Sequence, residues 1–212
     1  MCDAAFGRLE EQSKDMLRQQ RYAPSYTQAT GSVEPYRGVD HTVAVMIQLA
    51  RRQRNPIQMV GTALEGERSI RVRRHAEQII NNVRPKDYTS EVVAIGKWWG
   101  NAGRYTRDPV HVEMLGTTDR MIDDAARGSL LLDCDGYATA IGASCLTIGA
   151  PVDFVTVGFE TPMWGQPPVY THVFARAQDP RSKVWWVLDP VAGRRTASML
   201  ARVKVYKIFK VE

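Results

Sequence analysis

Two different hydrophobic periods run along this chain, a helical period in its first two thirds and a strand-like period in its last third. Between Ser69 and Val83 the apolar positions recur at helical spacing, at Val72, Ala76, Ile79 and Ile80. A second helix is predicted over residues 42–53, before Asn55-Pro56. A third is predicted from Ser90, whose hydroxyl could cap the first turn, through the tryptophan pair to Gly100.

The last third predicts one more helix and then a run of strands. After Cys134 the residues Tyr137, Ile141, Cys145 and Ile148 form a helical stripe, and Gly149 is a stop signal. Three runs rich in Val, Phe and Trp follow, and a fourth alternates in the manner of a strand: VDFVTVGF, VYTHVFARA, KVWWVLD and VKVYKIFK. Helices followed by an antiparallel meander are typical of an α+β fold.

Length and composition favour a globular chain with a polar beginning. The 212 residues, 44% of them hydrophobic, make one domain the leading interpretation, with two small ones as the alternative. Residues 1–40 contain little apolar material and predict a polar, partly extended arm, which leaves 41–212 as the domain. We expect no signal peptide and no transmembrane segment. The three cysteines have no disulfide spacing, which favours a reducing compartment or a reactive thiol.

Charge divides the chain into three parts. Lys and Arg outnumber Asp and Glu by 16 to 11 in residues 1–104 and by 6 to 1 in residues 190–212, while residues 105–189 hold 6 against 11. Basic ends can bind an acidic partner or can be solvated surface. Nucleic-acid binding through the Arg51–Arg54 and Arg71–Arg74 clusters is the weakest hypothesis, because no recognition motif accompanies them.

Cys134 is the first candidate for chemistry. It lies at the predicted start of a helix, where unpaired amides and the helix dipole favour a thiolate. Asp133 and Asp135 flank it and oppose ionisation, so a nucleophilic Cys134 needs a basic partner. The alternative is that Cys134 is a small core residue, as free cysteines often are.

His172 and Asp189 supply a candidate base and its orienting carboxylate. A two-residue turn between Asp179 and Ser182 would set His172 directly opposite Asp189 on the neighbouring strand. Side chains opposed in this way are within hydrogen-bond reach, so Asp189 could orient the imidazole toward the thiol. A slip of one residue would place them on opposite faces, and a lone histidine in an apolar strand is often a core residue.

The segments around these residues resemble the transglutaminase-like branch of the papain-like cysteine protease superfamily, in particular its bacteriophage and prophage members. The resemblance lies in DCDGYA around Cys134, THVFA around His172 and WVLDP around Asp189, and it extends over residues 69–190. It implies a papain-like core, with the nucleophile helix packed on an antiparallel sheet. In that family the cysteine is the nucleophile, the histidine its base and the aspartate the orienting group. The chain departs at Leu132 and Gly136, where the family has Gly and Asp, and Leu132 could narrow access to the thiol.

The resemblance implies acyl transfer on a peptide or peptidoglycan amide, in a virion or the host cytoplasm, with no cofactor. The alternative is a structural virion protein that keeps the fold and docks on other virion proteins through its arm. A zinc site is not expected, because His41, His75 and His111 lack paired ligand spacing. Cys2 is interpreted as incidental. The loop at Trp164-Gly165 either borders a cleft or is packed by its tryptophan.

Overall fold

The computed structural model describes residues 56–107 and 115–211, and the structural statements below concern those residues. They form a mixed α and β structure with six helices and a four-stranded antiparallel sheet. Some sequence predictions fall outside them: the arm over 1–40, the helix over 42–53, Cys2, His41, His111 and the Arg51–Arg54 cluster.

Four helices form the first half of the described fold. They are α1 (residues 56–67), α2 (Ile70–Ile80), α3 (Tyr88–Ala102) and α4 (Thr118–Ala126). The helix predicted over 69–83 is confirmed as α2. The Ser69 hydroxyl caps it by accepting from the Val72 amide, and it ends at Ile80 rather than Val83.

The cap predicted for α3 was wrong. Asp87 is the N-cap, and one of its carboxylate oxygens accepts from the Ser90 amide at 3.1 Å. Ser90 lies inside the first turn, and its hydroxyl donates to the other Asp87 oxygen at 2.8 Å. A carboxylate at this position also interacts favourably with the positive end of the helix dipole, so the helix begins two residues earlier than the sequence pattern suggested.

The second half holds the helix that begins at Cys134 and the main sheet. The remaining elements are β1 (Arg104–Tyr105), β2 (Leu131–Leu132), α5 (Cys134–Thr147), β3 (Val152–Gly158), β4 (His172–Gln178), β5 (Trp185–Leu188), a 3-10 turn (Gly193–Arg195), α6 (Thr196–Leu200) and β6 (Val205–Val211). Each of the four strand-like runs forms a strand of the main sheet, in the order β5-β4-β3-β6, and β1 and β2 form a separate parallel pair.

Helix α5 lies at the centre of the molecule. The single apolar stripe predicted for it was too narrow, because every residue from Asp135 to Cys145 is buried. Helices α2, α3 and α4 contact α5, and so do strands β3 and β4. Small residues permit this close approach: a Cβ added at Gly142 would lie 2.9 Å from the Phe154 ring, and one at Gly66 would lie 2.7 Å from Ala143. A helix covered on all sides needs no polar face.

The hairpin between β4 and β5 has a longer turn than the sequence predicted. The Asp179 amide donates to the Val184 carbonyl at 2.9 Å, so Asp179 does not pair with Ser182, and the loop ends with Lys183 in the left-handed region. The register therefore moves by two residues and pairs Ala175 with Leu188. Because side chains alternate with a period of two, an even shift keeps every residue on its predicted face.

The two faces of the sheet pack against different elements. Val173, Ala175 and Ala177 of β4 face the core around α5. The alternating residue Phe174 belongs to a second cluster with Leu200 of α6, on the opposite face. His172 shares the face of Phe174, since the two are separated by two positions in one strand.

Within residues 56–107 and 115–211, no helix combines the length and apolar character needed to cross a bilayer.

Candidate active site

His172 and Asp189 are joined by a hydrogen bond of 2.8 Å between Nε2 and Oδ2. They are not directly opposite, as the sequence predicted. In the observed register Asp189 lies diagonally across from His172, on the same face of the sheet. Their side chains are 11% and 1% exposed, so the pair is almost completely shielded from water.

The backbone that follows Asp189 fixes its carboxylate. Oδ1 accepts from the amides of Val191 and Ala192, each at 3.1 Å, while Oδ2 faces the imidazole. A carboxylate only accepts hydrogen bonds, so Nε2 of His172 carries the hydrogen. Nδ1 is then the ring nitrogen that can take a proton from a neighbouring group.

Cys134 is the first residue of α5 and is partly exposed. Asp133 is the N-cap, and its carboxylate accepts from the Gly136 amide at 3.1 Å. The backbone N–H of Val173, the residue after His172, donates to the Cys134 sulfur. Strand amides lie in the plane of the sheet, so the Cys134 thiol lies at the edge of β4. At this point β5 no longer pairs with β4, because their last pair is Ala175 with Leu188.

The surroundings of Cys134 hold its sulfur in the thiol form. Burial, together with the nearby carboxylates of Asp133 and Asp135, raises the pKa of the Cys134 thiol to about 12. The amides of Val173 and of Cys134 itself lower the pKa, but they are outweighed. The helix terminus therefore does not produce a resting thiolate, and a reaction at Cys134 needs a base to remove the proton.

The structure thus joins His172 to Asp189 directly and places Cys134 beside the backbone of the next residue. In the described part of the chain, no hydrogen bond connects the Cys134 thiol to the imidazole. Cys145 belongs to the core rather than to this site. It is fully buried, and burial raises the pKa of its thiol above the usual range.

Leu132 and Gly136, which flank the Cys134 turn, lie against each other. Leu132 is buried in the core, and a Cβ added at Gly136 would lie 2.9 Å from its Cδ2 atom. Leu132 thus occupies the space that a side chain at position 136 would need.

Two glycines of α3 bear on the site, and the sequence pattern did not identify them as contact positions. Gly96 and Gly100 lie one turn apart on α3, where they let the chain around Asp189 approach the helix. A Cβ at Gly96 would lie 3.1 Å from Leu188, and one at Gly100 would lie 3.0 Å from Pro190. The available signal was the spacing of two glycines by four residues, which is typical of close packing on one helix face.

Replacing Gly100 with Ala is expected to slow alkylation of Cys134 about tenfold, because the added methyl group displaces Pro190 and loosens the Asp189–His172 hydrogen bond. Stability should change less, since Ala favours the helix by about 1 kcal/mol. The measurement is the alkylation rate together with urea unfolding. Gly61→Ala is the matched control, because its Cβ meets no atom within 4 Å. An Asp189→Asn background should remove the effect of Gly100→Ala, and full persistence of that effect would contradict this explanation.

No cluster of three or more His, Cys, Asp or Glu residues within the described ranges is arranged to hold a metal ion. Two surface cavities of about 450 and 430 Å³ lie along α2, at Arg74 and Gln78, and neither is lined by Cys134, His172 or Asp189. Comparison of the chain with family models and with curated proteins found no match.

Proposed function

We propose that this chain is a transglutaminase-like cysteine acyl-transfer protein of the bacteriophage type, with a papain-like core and a site formed by Cys134, His172 and Asp189. The observation that carries the proposal is the shielded His172–Asp189 hydrogen bond, formed next to the strand residue whose amide donates to the Cys134 sulfur. A pair oriented in this way beside a thiol at a helix N-terminus suits general-base activation of a nucleophile.

The proposed reaction begins with transfer of the thiol proton to Nδ1 of His172 as the sulfur attacks an amide carbonyl. A carbon–sulfur bond forms, the carbon–nitrogen bond breaks, and the imidazolium returns the proton to the leaving amine. Water or a second amine then attacks the thioester and releases Cys134. The raised thiol pKa supports this order, because a thiol that is protonated at rest depends on its base for each attack.

The proposed substrate is a peptide or peptidoglycan amide, and the proposed location is a virion or the host cytoplasm. The polar residues 1–40 would dock the domain on other virion proteins. The acidic stretch 105–189, which contains all three site residues, argues against a nucleic-acid substrate because phosphates would be repelled.

Iodoacetamide alkylation tests the proposed base. Cys134 should react much faster than Cys145 near neutral pH, but burial of Cys145 contributes to that difference. The decisive comparison is therefore Cys134 in wild type and in His172→Ala, followed by mass spectrometry. We expect His172→Ala to slow the reaction by about 10²- to 10⁴-fold.

The pH dependence of the Cys134 alkylation rate is a second test of the base role of His172. Without its base, Cys134 reacts only through its thiolate fraction, so the rate in His172→Ala should rise about tenfold per pH unit between about pH 7 and 9. Wild type should show a shallower rise. Equal rates and equal slopes in the two proteins would rule out a base role for His172.

A structural virion protein that retains this fold is the second candidate. The raised pKa of Cys134 and the lack of a hydrogen bond between its thiol and the described His172 ring favour low turnover. Copurification with particles at a fixed stoichiometry, together with slow alkylation of Cys134, would support this candidate. Absence of the protein from purified particles would exclude it.

A further inference from the structure

A tight turn presents the most exposed tryptophan of the described chain. The Gln166 amide donates to the Met163 carbonyl at 2.9 Å, and Gly165 has a φ of +80°, so residues 163–166 form a type II turn with Trp164 at its tip. Trp164 is 104% exposed and Met163 is 68% exposed. Prolines restrict the backbone on both sides of the turn, at positions 162, 167 and 168.

Of the two alternatives for this loop, the exposure excludes packing of the loop by Trp164. The other tryptophans each contact an aromatic ring, a cation or the core: Trp98, Trp99, Trp185 and Trp186. A large apolar side chain held in water by a defined turn gains nothing from intramolecular packing. Tryptophans in such positions are enriched where a protein binds a partner, because one indole can bury a large area at low entropic cost.

The turn belongs to the loop that leads into His172. Val157 pairs with His172 as the last pair before the loop, and the Thr171 amide donates to the Val157 carbonyl at 2.9 Å. At the other base of the loop, a Cβ at Gly158 would collide with the Val169 carbonyl at 2.0 Å, so the two chain segments are in tight contact.

The same end of the sheet holds the site. β4 begins there with His172, β5 ends there just before Asp189, and the Val173 amide meets the Cys134 sulfur there. The loop that carries Trp164 therefore emerges from the sheet beside the residues that would perform the reaction.

We propose that the Trp164 turn is a binding wall for the acyl donor of the Cys134 site and accepts an apolar, preferably aromatic, side chain of an extended peptide. The proposal rests on the proposed function and adds a substrate preference to it. The two exposed side chains, Met163 and Trp164, are enough to contact one substrate side chain. They are too few for a stable interface between protein copies, which needs roughly 1,200 Å² or more of buried surface.

Two peptidyl chloromethyl ketones provide the test on the full-length protein. They share one backbone and differ only in a benzyl or a methyl side chain. In each reaction a carbon–sulfur bond to Cys134 forms, the carbon–chlorine bond breaks, chloride leaves and the thiol proton passes to the base. Every rate is divided by the iodoacetamide rate of the same variant, which reports the thiol and its base alone.

Wild type should react about tenfold faster with the benzyl probe than with the methyl probe, as expected for one aromatic contact. Trp164→Ala should reduce this ratio to about one, and Trp164→Phe should keep most of it. Ile70→Ala is the matched control, because Ile70 is 62% exposed on α2, and it should keep the wild-type ratio. Mass spectrometry verifies that Cys134 is the alkylated residue.

Three results would overturn the proposal: a wild-type ratio near one, a ratio unchanged in Trp164→Ala, or self-association of wild type that Trp164→Ala abolishes in sedimentation experiments. A failure of the proposed function looks different. In that case the iodoacetamide rate itself does not depend on His172, whatever the ratio of the two ketones.

Discussion

Replacing Asp189 with Asn is expected to slow alkylation of Cys134 by about 10²- to 10⁴-fold, the range that general-base catalysis contributes, because the wrong imidazole tautomer removes the base. The carbonyl oxygen of Asn can still accept from the amides of Val191 and Ala192, so the turn is retained. The amide group then faces Nε2 of His172 with its donor. The imidazole must offer Nε2 as the acceptor, which moves the ring hydrogen to Nδ1 and removes the atom that would take the thiol proton.

The measurement combines the alkylation rate with the ring-nitrogen chemical shifts of His172 by NMR. We expect the rate to fall and the neutral tautomer to change from Nε2–H to Nδ1–H, while urea unfolding changes little. Asp189→Ala is the contrasting variant, because it leaves two amides without their acceptor and should cost about 1–3 kcal/mol of stability as well. A normal rate in Asp189→Asn with an altered tautomer would contradict the assigned role of the carboxylate.

The hydrogen bond between His172 and Asp189 was predictable even though the register was not. The sequence predicts a turn near Pro180. Whether two or four residues form the loop depends on Lys183, because this residue adopts a positive φ that is uncommon for residues other than glycine. The predicted register was wrong by two positions. Side chains along a strand alternate with a period of two residues. His172 and Asp189 are therefore diagonal neighbours rather than directly opposite, and both remain on the same face of the sheet.

Other features depended on distant contacts that a local pattern does not contain. The sequence predicted a strand over VKVYKIFK, but not that β6 would pair with β3 at the far edge of the sheet. It predicted opposing effects of the helix terminus and the flanking carboxylates on Cys134. Burial against the sheet decides their balance and raises the thiol pKa, and burial is set by the packing of α5 rather than by neighbours in the chain.

A buried ion pair on the His172 face of the sheet should make a large contribution to stability. Asp153 and Arg176 are directly paired between β3 and β4, and each is 4% exposed. Both Nε and Nη2 of the guanidinium donate to one carboxylate oxygen, at 2.9 and 2.6 Å. Trp185 covers the guanidinium at 4.3 Å from the ring centroid. Since no other described side chain supplies an acceptor to this arginine, its charge depends on Asp153.

Asp153→Asn is therefore expected to destabilise the protein by about 3–5 kcal/mol, because it leaves the Arg176 charge buried without compensation. Urea unfolding monitored by circular dichroism measures the change. The double variant Asp153→Leu/Arg176→Met should recover most of the loss, since a packed apolar pair avoids the desolvation cost of two charges. Tyr206→Phe is the matched control on the same face: its hydroxyl is buried without a hydrogen-bond partner among the described residues, so its removal should cost almost nothing. A loss of less than about 1 kcal/mol of unfolding free energy in Asp153→Asn would contradict a large stabilising contribution of the ion pair. A double variant as unstable as the single one would contradict it as well.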